Sequence, residues 1–187
     1  MALRIDRKKD VRAIKAIAHR IADIPGGVTV STKNLGGDAL LEGTPLAKGE
    51  GGLYVVAKSA KVVGKTDTSH ATYEVAKGHH FKIGDYIGDG TKSQVITEIN
   101  KSAADKDVIT TTATLGVAKN PGDVLVECKG TNQAAKNTPC CVCGSSYTIK
   151  DHDNMFVDAW LMAVVYEKNA PGVDAKMKSA LNCVKYI

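Results

Sequence analysis

Aromatic residues and long apolar runs are both scarce in this sequence of 187 residues. Only 5% of the residues are Phe, Trp or Tyr, so a folded core must be built mainly from Val, Ile, Leu and Ala. No run approaches the roughly 20 apolar residues that a transmembrane helix requires, and the N-terminal segment carries charges where a signal peptide has its apolar region. The sequence therefore predicts a protein that is made in a cytoplasm, is soluble there and does not bind a membrane.

Recognisable catalytic motifs are also missing. The sequence contains no Walker loop, no nucleophile elbow, no dinucleotide-binding fingerprint and no HExxH motif. No other pattern indicates a cofactor or a reaction centre. We therefore predict a protein that is not an enzyme, needs no cofactor and acts by binding.

The five cysteines do not form the even, dispersed set that a secreted disulfide framework requires. Three of them lie together in PCCVCG, as Cys140, Cys141 and Cys143. Residues 129–146, which contain the three, are interpreted as a loop. Free thiols in a reducing compartment are the simpler interpretation. A structural zinc site uses four ligands, usually from two C-x-x-C pairs, and only one such pair is present. A zinc or thiol module around Cys140–Cys143 stays an alternative function.

Positive charge is concentrated at the N-terminus. The formal net charge is +5, and the first twenty residues account for all of it, because they hold seven basic residues against two aspartates. The seven are Arg4, Arg7, Lys8, Lys9, Arg12, Lys15 and Arg20. The chain is therefore a neutral body with a basic N-terminal arm.

This arm, residues 1–24, is predicted to contain an amphipathic helix from Asp10 to Ile24, because apolar residues recur there at helical spacing before Pro25. Three interpretations stay open: a solvated face, phosphate binding in a nucleic-acid-binding protein, and docking on an acidic protein surface. The arm lacks the interleaved aromatics of a base-stacking surface, so docking is our prediction. We assign that contact to Arg4, Arg7, Lys8, Lys9, Arg12, Ile14, Lys15, Ile17 and Ile21.

Two further segments follow the arm. Residues 25–52 are rich in glycine and short on periodicity, which predicts an extended linker. From Leu53 onward, short β-rich runs such as ATYEVA, SQVITEI, DVITTTA and DVLVEC alternate with turn residues every 8–12 positions. We therefore predict a mainly β (α+β) fold: a small β-barrel or sandwich body over residues 53–187, with the N-terminal amphipathic helix and a short C-terminal helix between two strands.

The stretch VAKGHHFKIGDYI contains two adjacent histidines, His79 and His80. Neighbouring side chains on a strand point to opposite faces, so these two cannot easily share a ligand. We interpret the stretch as a hairpin shoulder and not as a catalytic or metal site. A second stretch, VAKNPGDVLV, repeats the order Val-Ala-Lys, turn, Gly-Asp and apolar strand. This echo predicts two similar hairpins, each with a tight Gly-Asp turn that leads into the next strand.

Near the C-terminus, NMFVDAWLMAVVYEKN is apolar on both faces. Its valines and aromatics favour a long strand over Phe156–Tyr166, buried on both sides or shared with an interface. We predict that four of its residues lie in the core or at an oligomer contact: Phe156, Trp160, Met162 and Val164. A short helix in PGVDAKMKSALNCV and a last strand in VKYI are predicted to follow.

Taken in order, these elements resemble the head fibre and head decoration proteins of tailed bacteriophages and prophages. The resemblance is carried by GGLYVVAKSAKVV, YEVAKGHHFKIGDYI, DVITTTATLGVAKNPGDVLV and VDAWLMAVVYEKNAP, and it spans residues 51–187. It implies a β-rich body on the capsid exterior, commonly a homotrimer, that binds capsid protein partly through N-terminal segments and stabilises the shell or displays a surface. It thus implies the virion as location, and no catalytic residues. The cysteine cluster and the basic helix depart from the family pattern.

Overall fold

A computed structural model describes residues 15–150 and 153–187 of the chain. This part is mainly β, with sixteen strands and one short helix. No helix within it is long and apolar enough to cross a bilayer. In chain order the elements are β1 (Ile17–Asp23), β2 (Val28–Val30), β3 (Ala39–Leu40), β4 (Pro45–Lys48), β5 (Tyr54–Val56), β6 (Ser59–Lys61), β7 (Thr72–Ala76), β8 (Tyr86–Gly88), β9 (Ser93–Asn100), β10 (Lys106–Thr111), β11 (Val124–Cys128), β12 (Cys141–Cys143), β13 (Tyr147–Thr148), β14 (Met155–Val157), β15 (Ala159–Val165), α1 (Ala175–Ala180) and β16 (Val184–Tyr186).

The larger sheet has eight strands in the order β1-β15-β12-β4-β5-β2-β14, with β16 beside β15. Strands β14 and β15 are separated in the chain only by Asp158, yet they lie far apart in this order. The sheet must therefore curl, so that one bent strand connects its two ends. Its interior is filled by aliphatic side chains and two thiols: Val28, Val30, Leu35, Leu40, Leu46, Val56, Val157, Cys141 and Cys143.

The smaller sheet has six strands in the order β6-β11-β8-β9-β10-β7, all antiparallel to their neighbours. A bridge between Val62 and Val75 brings its first and last strands together. The sheet is therefore partly barrel-like. Its core consists of Val62, Tyr73, Val75, Phe81, Ile87, Ile96, Ile109 and Leu125.

Alternation along the strands explains why these runs fold as they do. In β10 every second side chain is buried, namely Asp107, Ile109 and Thr111, while the intervening ones are half-buried. Side chains of a strand point alternately to its two faces, so a period of two places the β-branched residues against one core. The predicted mainly β body, partly barrel-like, is confirmed.

The two Gly-Asp turns predicted from the repeated stretch have the same structure. Asp85 Oδ2 accepts a hydrogen bond from the Lys82 amide at 2.8 Å, and Asp123 Oδ2 accepts one from the Asn120 amide at 2.8 Å. The glycine before each aspartate has a positive φ, 93° and 98°, which side chains disfavour. Each turn leads directly into a strand, β8 or β11.

The predicted N-terminal helix is wrong for the described residues. Ile17–Asp23 is a strand that pairs antiparallel with β15, and residues 10–14 lie outside the described part. Ile17 is the only fully buried residue of the strand. Its isoleucine spacing matches a helical period, but helix propensity is a weak preference, and hydrogen bonding to a distant strand overrides it.

The predicted linker is also wrong. Residues 25–52 contain β2, β3 and β4, which pair with other strands of the protein. Leu35, Leu40 and Leu46 from this segment are buried in the core of the larger sheet. Its glycines occupy turns: Gly43, for example, has a φ of +84° and packs against Ala170.

The C-terminal order of strand, helix and strand is as predicted. Helix α1 begins after Asp174, whose Oδ1 accepts a hydrogen bond from the Met177 amide at 2.7 Å. Such a cap satisfies an amide that has no partner within the helix. Strand β16 then runs parallel to β15.

One buried hydroxyl provides a test of how the smaller sheet is held together. Tyr73 is fully buried, and its hydroxyl accepts from the Leu115 amide at 2.9 Å and donates to the His70 carbonyl at 3.1 Å. Tyr73→Phe leaves the Leu115 amide buried without an acceptor, so we expect the free energy of unfolding to fall by about 1–3 kcal/mol. Urea denaturation measures it. Tyr166→Phe, at an exposed tyrosine, should change it by less than about 0.5 kcal/mol; equal losses in both variants would contradict the assignment.

Candidate interaction surface

Strand β1 forms an exposed edge of the larger sheet. Within the described residues it pairs only with β15, and four successive residues, 18–21, are exposed. Unpaired backbone groups on an edge strand are a template for another chain. Three register shifts interrupt the pairing of β1 with β15. Such bulges bend an edge and limit indiscriminate pairing, so this edge favours a partner that fits its shape.

Large apolar side chains are exposed beside this edge. Ile21, Leu161 and Met162 are 52%, 42% and 39% exposed. Ile21 lies opposite the step from Met162 to Ala163, because Arg20 pairs with Ala163 and Ala22 with Met162. Leu161 directly precedes Met162 in β15. We call these three residues together with β1 the β1–β15 edge. Apolar side chains grouped on a surface indicate a site of protein contact.

Arg20 and Glu42 attach β1 to the body. Arg20 Nη2 donates to Glu42 Oε1 at 3.0 Å and to the Gly144 carbonyl, while Glu42 Oε2 accepts from the Ala16 amide at 2.8 Å. The guanidinium carbon also lies 5.6 Å from the centre of the Trp160 ring. One carboxylate therefore holds both the backbone before β1 and a side chain from its middle.

A glycine makes room for the tryptophan of this cluster. A Cβ at Gly144 would overlap both Trp160 and Asp158. Because residue 144 has no side chain, the indole packs against the backbone after β12. Trp160 is half-buried and its Nε1 has no hydrogen-bond partner within the described residues, so the ring contributes mainly apolar contact and the stacking of Arg20.

The residues predicted to contact a partner fall into three groups: outside the described part of the chain, exposed, and buried. Arg4, Arg7, Lys8, Lys9, Arg12 and Ile14 lie outside the described part of the chain. Lys15 and Ile21 are exposed, as a contact requires, but Ile17 is 6% exposed and belongs to the core, so its assignment to a partner is wrong.

The four residues predicted from the long apolar strand differ in their exposure. Phe156 and Met162 are 64% and 39% exposed, whereas Trp160 and Val164 are half-buried. Burial on both faces within one chain is therefore wrong for this strand, and contact with another chain stays a prediction. Sequence reasoning missed Glu42, because its partner Arg20 lies 22 residues away and no local pattern connects them.

The paired histidines lie in the connection between β7 and β8. The predicted hairpin is wrong, because β7 pairs with β10 and β8 pairs with β9 and β11. The second stretch is not a hairpin either, since β11 does not pair with β10. His79 Nδ1 accepts a hydrogen bond from the Phe81 amide at 3.2 Å, so the ring is neutral and its proton is on Nε2. That Nε2 lies 3.2 Å from Asp107 Oδ2 but is not aligned for a hydrogen bond. Burial lowers the pKa of His79 to about 4, against the opposing effect of Asp107. Both nitrogens thus face groups of the protein itself.

A cleft of about 210 Å³ lies beside His79, between the two sheets. Two of its three lysines are engaged: Lys77 Nζ is 2.7 Å from Asp107 Oδ1, and Lys61 Nζ donates to the Glu167 carbonyl at 2.9 Å. The third, Lys168, is exposed at its rim. The cleft therefore presents mainly occupied ammonium groups and backbone, as in a structural contact between two sheets.

The cysteine cluster is a buried strand and not the loop that the sequence predicted. Cys141 and Cys143 belong to β12, which lies between β4 and β15 with all three residues buried. Burial raises the pKa of Cys143 to about 12 and raises the pKa of Cys141 as well. Zinc binds thiolates, and no three His, Cys, Asp or Glu side chains of the described residues are grouped to hold a metal ion. The cysteines act here as small apolar residues.

Comparisons with models of known protein families, with curated proteins and with solved structures found no match. The arguments for function therefore come from the β1–β15 edge and from the resemblance carried by the sequence.

The attachment of β1 can be tested by removing its carboxylate. Glu42→Ala leaves the Ala16 amide without its acceptor and Arg20 without its ion pair, so we expect unfolding to become easier by about 1.5–3 kcal/mol. Chemical denaturation measures this loss. Glu50→Ala, at an exposed turn residue, is the matched control and should stay within about 0.5 kcal/mol of the wild type. A Glu42 variant as stable as the control would refute the attachment.

Thiol reactivity separates buried cysteines from a metal site. Cys183 is exposed, so an alkylating reagent at pH 7 should modify it first, while Cys128, Cys141 and Cys143 react only after unfolding. Intact-mass measurement counts the adducts, and Cys183→Ser should remove the fast one. Stoichiometric zinc in protein purified without chelator, with protection that a chelator removes, would instead support the zinc module.

Proposed function

We propose that this protein is a structural protein of a tailed bacteriophage or prophage, a head fibre or head decoration protein. In this proposal it attaches to the capsid exterior, associates with copies of itself, and stabilises the shell or displays a surface. The observation that supports it is the β1–β15 edge, where an exposed edge strand adjoins Ile21, Leu161 and Met162. A surface of this kind binds by shape and apolar contact.

The energetics of such a contact fit a repeated assembly. Apolar area removed from water contributes roughly 25 cal/mol per Å². A few hundred Å² of apolar surface per subunit therefore stabilises an oligomer by several kcal/mol before the entropy of association is subtracted. Closed symmetry repeats the contact in every subunit, so a modest edge is sufficient in a trimer or on a shell with many identical sites.

The basic arm supports attachment to a second partner. The first 14 residues carry five basic residues against two aspartates, and Lys15 lies two residues before the start of β1. A partner seated at the β1–β15 edge would therefore be within reach of this segment. Basic residues accelerate binding to an acidic surface and add specificity, which fits docking on an acidic patch of a capsid protein.

Sedimentation velocity tests self-association. The single chain has a mass of 19.7 kDa, and the wild type should sediment as a larger species at micromolar concentration. The double variant Leu161→Ser with Met162→Ser should sediment as the single chain, because it removes the exposed apolar surface of β15. Val63→Ser, at an exposed valine beyond β6, is the matched control and should leave the oligomer intact.

Co-sedimentation with shells of the phage's major capsid protein tests the partner. We expect the wild type to pellet with the shells and a chain lacking residues 1–14 to stay in solution, with its oligomeric state unchanged. A wild type that is monomeric and does not pellet would refute the proposal. Salt-dependent binding to DNA that disappears with the same deletion would favour the nucleic-acid-binding alternative.

A further inference from the structure

A loop of the larger sheet is fastened to a turn of the smaller one. The Gly36 amide donates to the His80 carbonyl at 3.0 Å, and Lys101 Nζ donates to the Gly36 carbonyl at 2.9 Å. Lys82 Nζ reaches the Lys33 carbonyl at 3.1 Å. We call this contact, between residues 33–37 and residues 79–82, the clasp.

The clasp is closely packed at its two glycines. A Cβ at Gly36 would overlap the Phe81 carbonyl, and a Cβ at Gly37 would lie 3.1 Å from His80 Nδ1. The two glycines therefore allow the loop backbone to lie directly against the turn and the imidazole. Any hydration of His80 requires the loop to move away.

His80 is the unusual residue of the clasp. It is 4% exposed, and neither ring nitrogen has a hydrogen-bond partner within the described residues. Buried polar atoms are nearly always hydrogen-bonded, so a ring with two unpartnered nitrogens calls for an explanation. A neutral imidazole tolerates this site, but a charged one would need both an acceptor and a counter-ion.

The charges that face His80 at neutral pH are both basic, from Lys58 after β5 and Lys101 after β9. His79 on the same turn is neutral there and adds a third positive charge only once it is protonated. The nearby carboxylates are already paired. Asp85 Oδ2 and Glu127 Oε1 lie 2.6 and 3.5 Å from Lys58 Nζ, and Glu127 also lies 2.8 Å from Lys136 Nζ. Asp107 is within reach of both His79 and Lys77. A proton on His80 would therefore meet repulsion and no compensating anion.

We propose that the clasp is an acid-sensitive joint, in which protonation of His80 drives residues 33–37 away from residues 79–82 and loosens the contact between the two sheets. His79 titrates beside it, but the carboxylate of Asp107 offsets part of its charge. His80 is thus the group that the folded state cannot accommodate once it is charged. This property is independent of whether the protein binds a capsid.

The pH range follows from linkage. Burial, followed by the charges of His79, Lys58 and Lys101, lowers the pKa of His80 from 6.5 to about 4. The folded state thus resists protonation more than the unfolded state, so the stability contributed by neutral His80 is complete above pH 6.5 and is lost as the pH falls from 6.5 towards 4. At pH 4.5 this one residue should reduce the equilibrium constant of folding on the order of 50-fold.

The test combines a local and a global measurement on the full-length protein. Amide hydrogen exchange, corrected for the intrinsic rate, should rise between pH 7 and pH 4.5 for residues 34–37 and 79–82 before it rises in β9 or β10. His80→Leu, which cannot be protonated, should suppress that local rise. Between pH 7 and pH 4.5, its equilibrium constant of folding should fall less than that of the wild type, by a factor on the order of 50. His80→Gln serves as a second neutral replacement in case leucine disturbs the packing.

His70→Gln is the matched control, because His70 is an exposed histidine in a surface turn beside Asp67. It should keep the acid sensitivity of the wild type. Exchange that rises uniformly over the whole molecule in the wild type would overturn the proposal, and this result needs no variant. Equal acid sensitivity in the wild type and in a folded His80 variant would overturn it as well.

Discussion

The bent strand formed by β14 and β15 is the element on which the larger sheet depends. It pairs with β2 at one end and with β1, β12 and β16 at the other, so strands from both termini and from the middle of the chain meet on it. Its single break is Asp158, whose carboxylate accepts hydrogen bonds from Ser145 and from the Tyr147 hydroxyl at 3.1 and 2.6 Å. The bend is thus fixed by side chains of the preceding loop, and the curl of the sheet follows from it.

That arrangement also explains where apolar surface remains. A strand that closes a curled sheet is covered only in part, and β15 leaves Leu161 and Met162 exposed. The adjoining β1 is bulged and held by Arg20 and Glu42, so it cannot cover them. Irregular pairing protects the edge from indiscriminate addition of strands. The exposed apolar side chains can still stabilise contact with a partner of matching shape. These two properties together are what the proposed assembly requires.

The sequence predicts the local part of this structure and misses the long-range part. Alternating β-branched residues identify the strands of the smaller sheet, because side-chain period and core position are local properties. The same reasoning placed a helix over residues 10–24 and a linker over residues 25–52, because the strands there, including β1, are short or exposed and exist only through pairing with distant segments. It also interpreted β12 as a loop, since cysteines suggest chemistry before they suggest a core. The partnership of Arg20 with Glu42 has no local pattern at all.

The two sheets are joined in two different ways, and this difference decides how the protein responds to its surroundings. Near α1 the joint is apolar: Ala57, Val126, Val173 and Met177 pack together. At the clasp it is polar and consists of backbone hydrogen bonds, lysines and His80. Apolar burial is nearly insensitive to pH, whereas a buried imidazole among cations is not. In the proposed joint, a fall in pH therefore acts on the clasp first, while the apolar cluster at α1 is left in place.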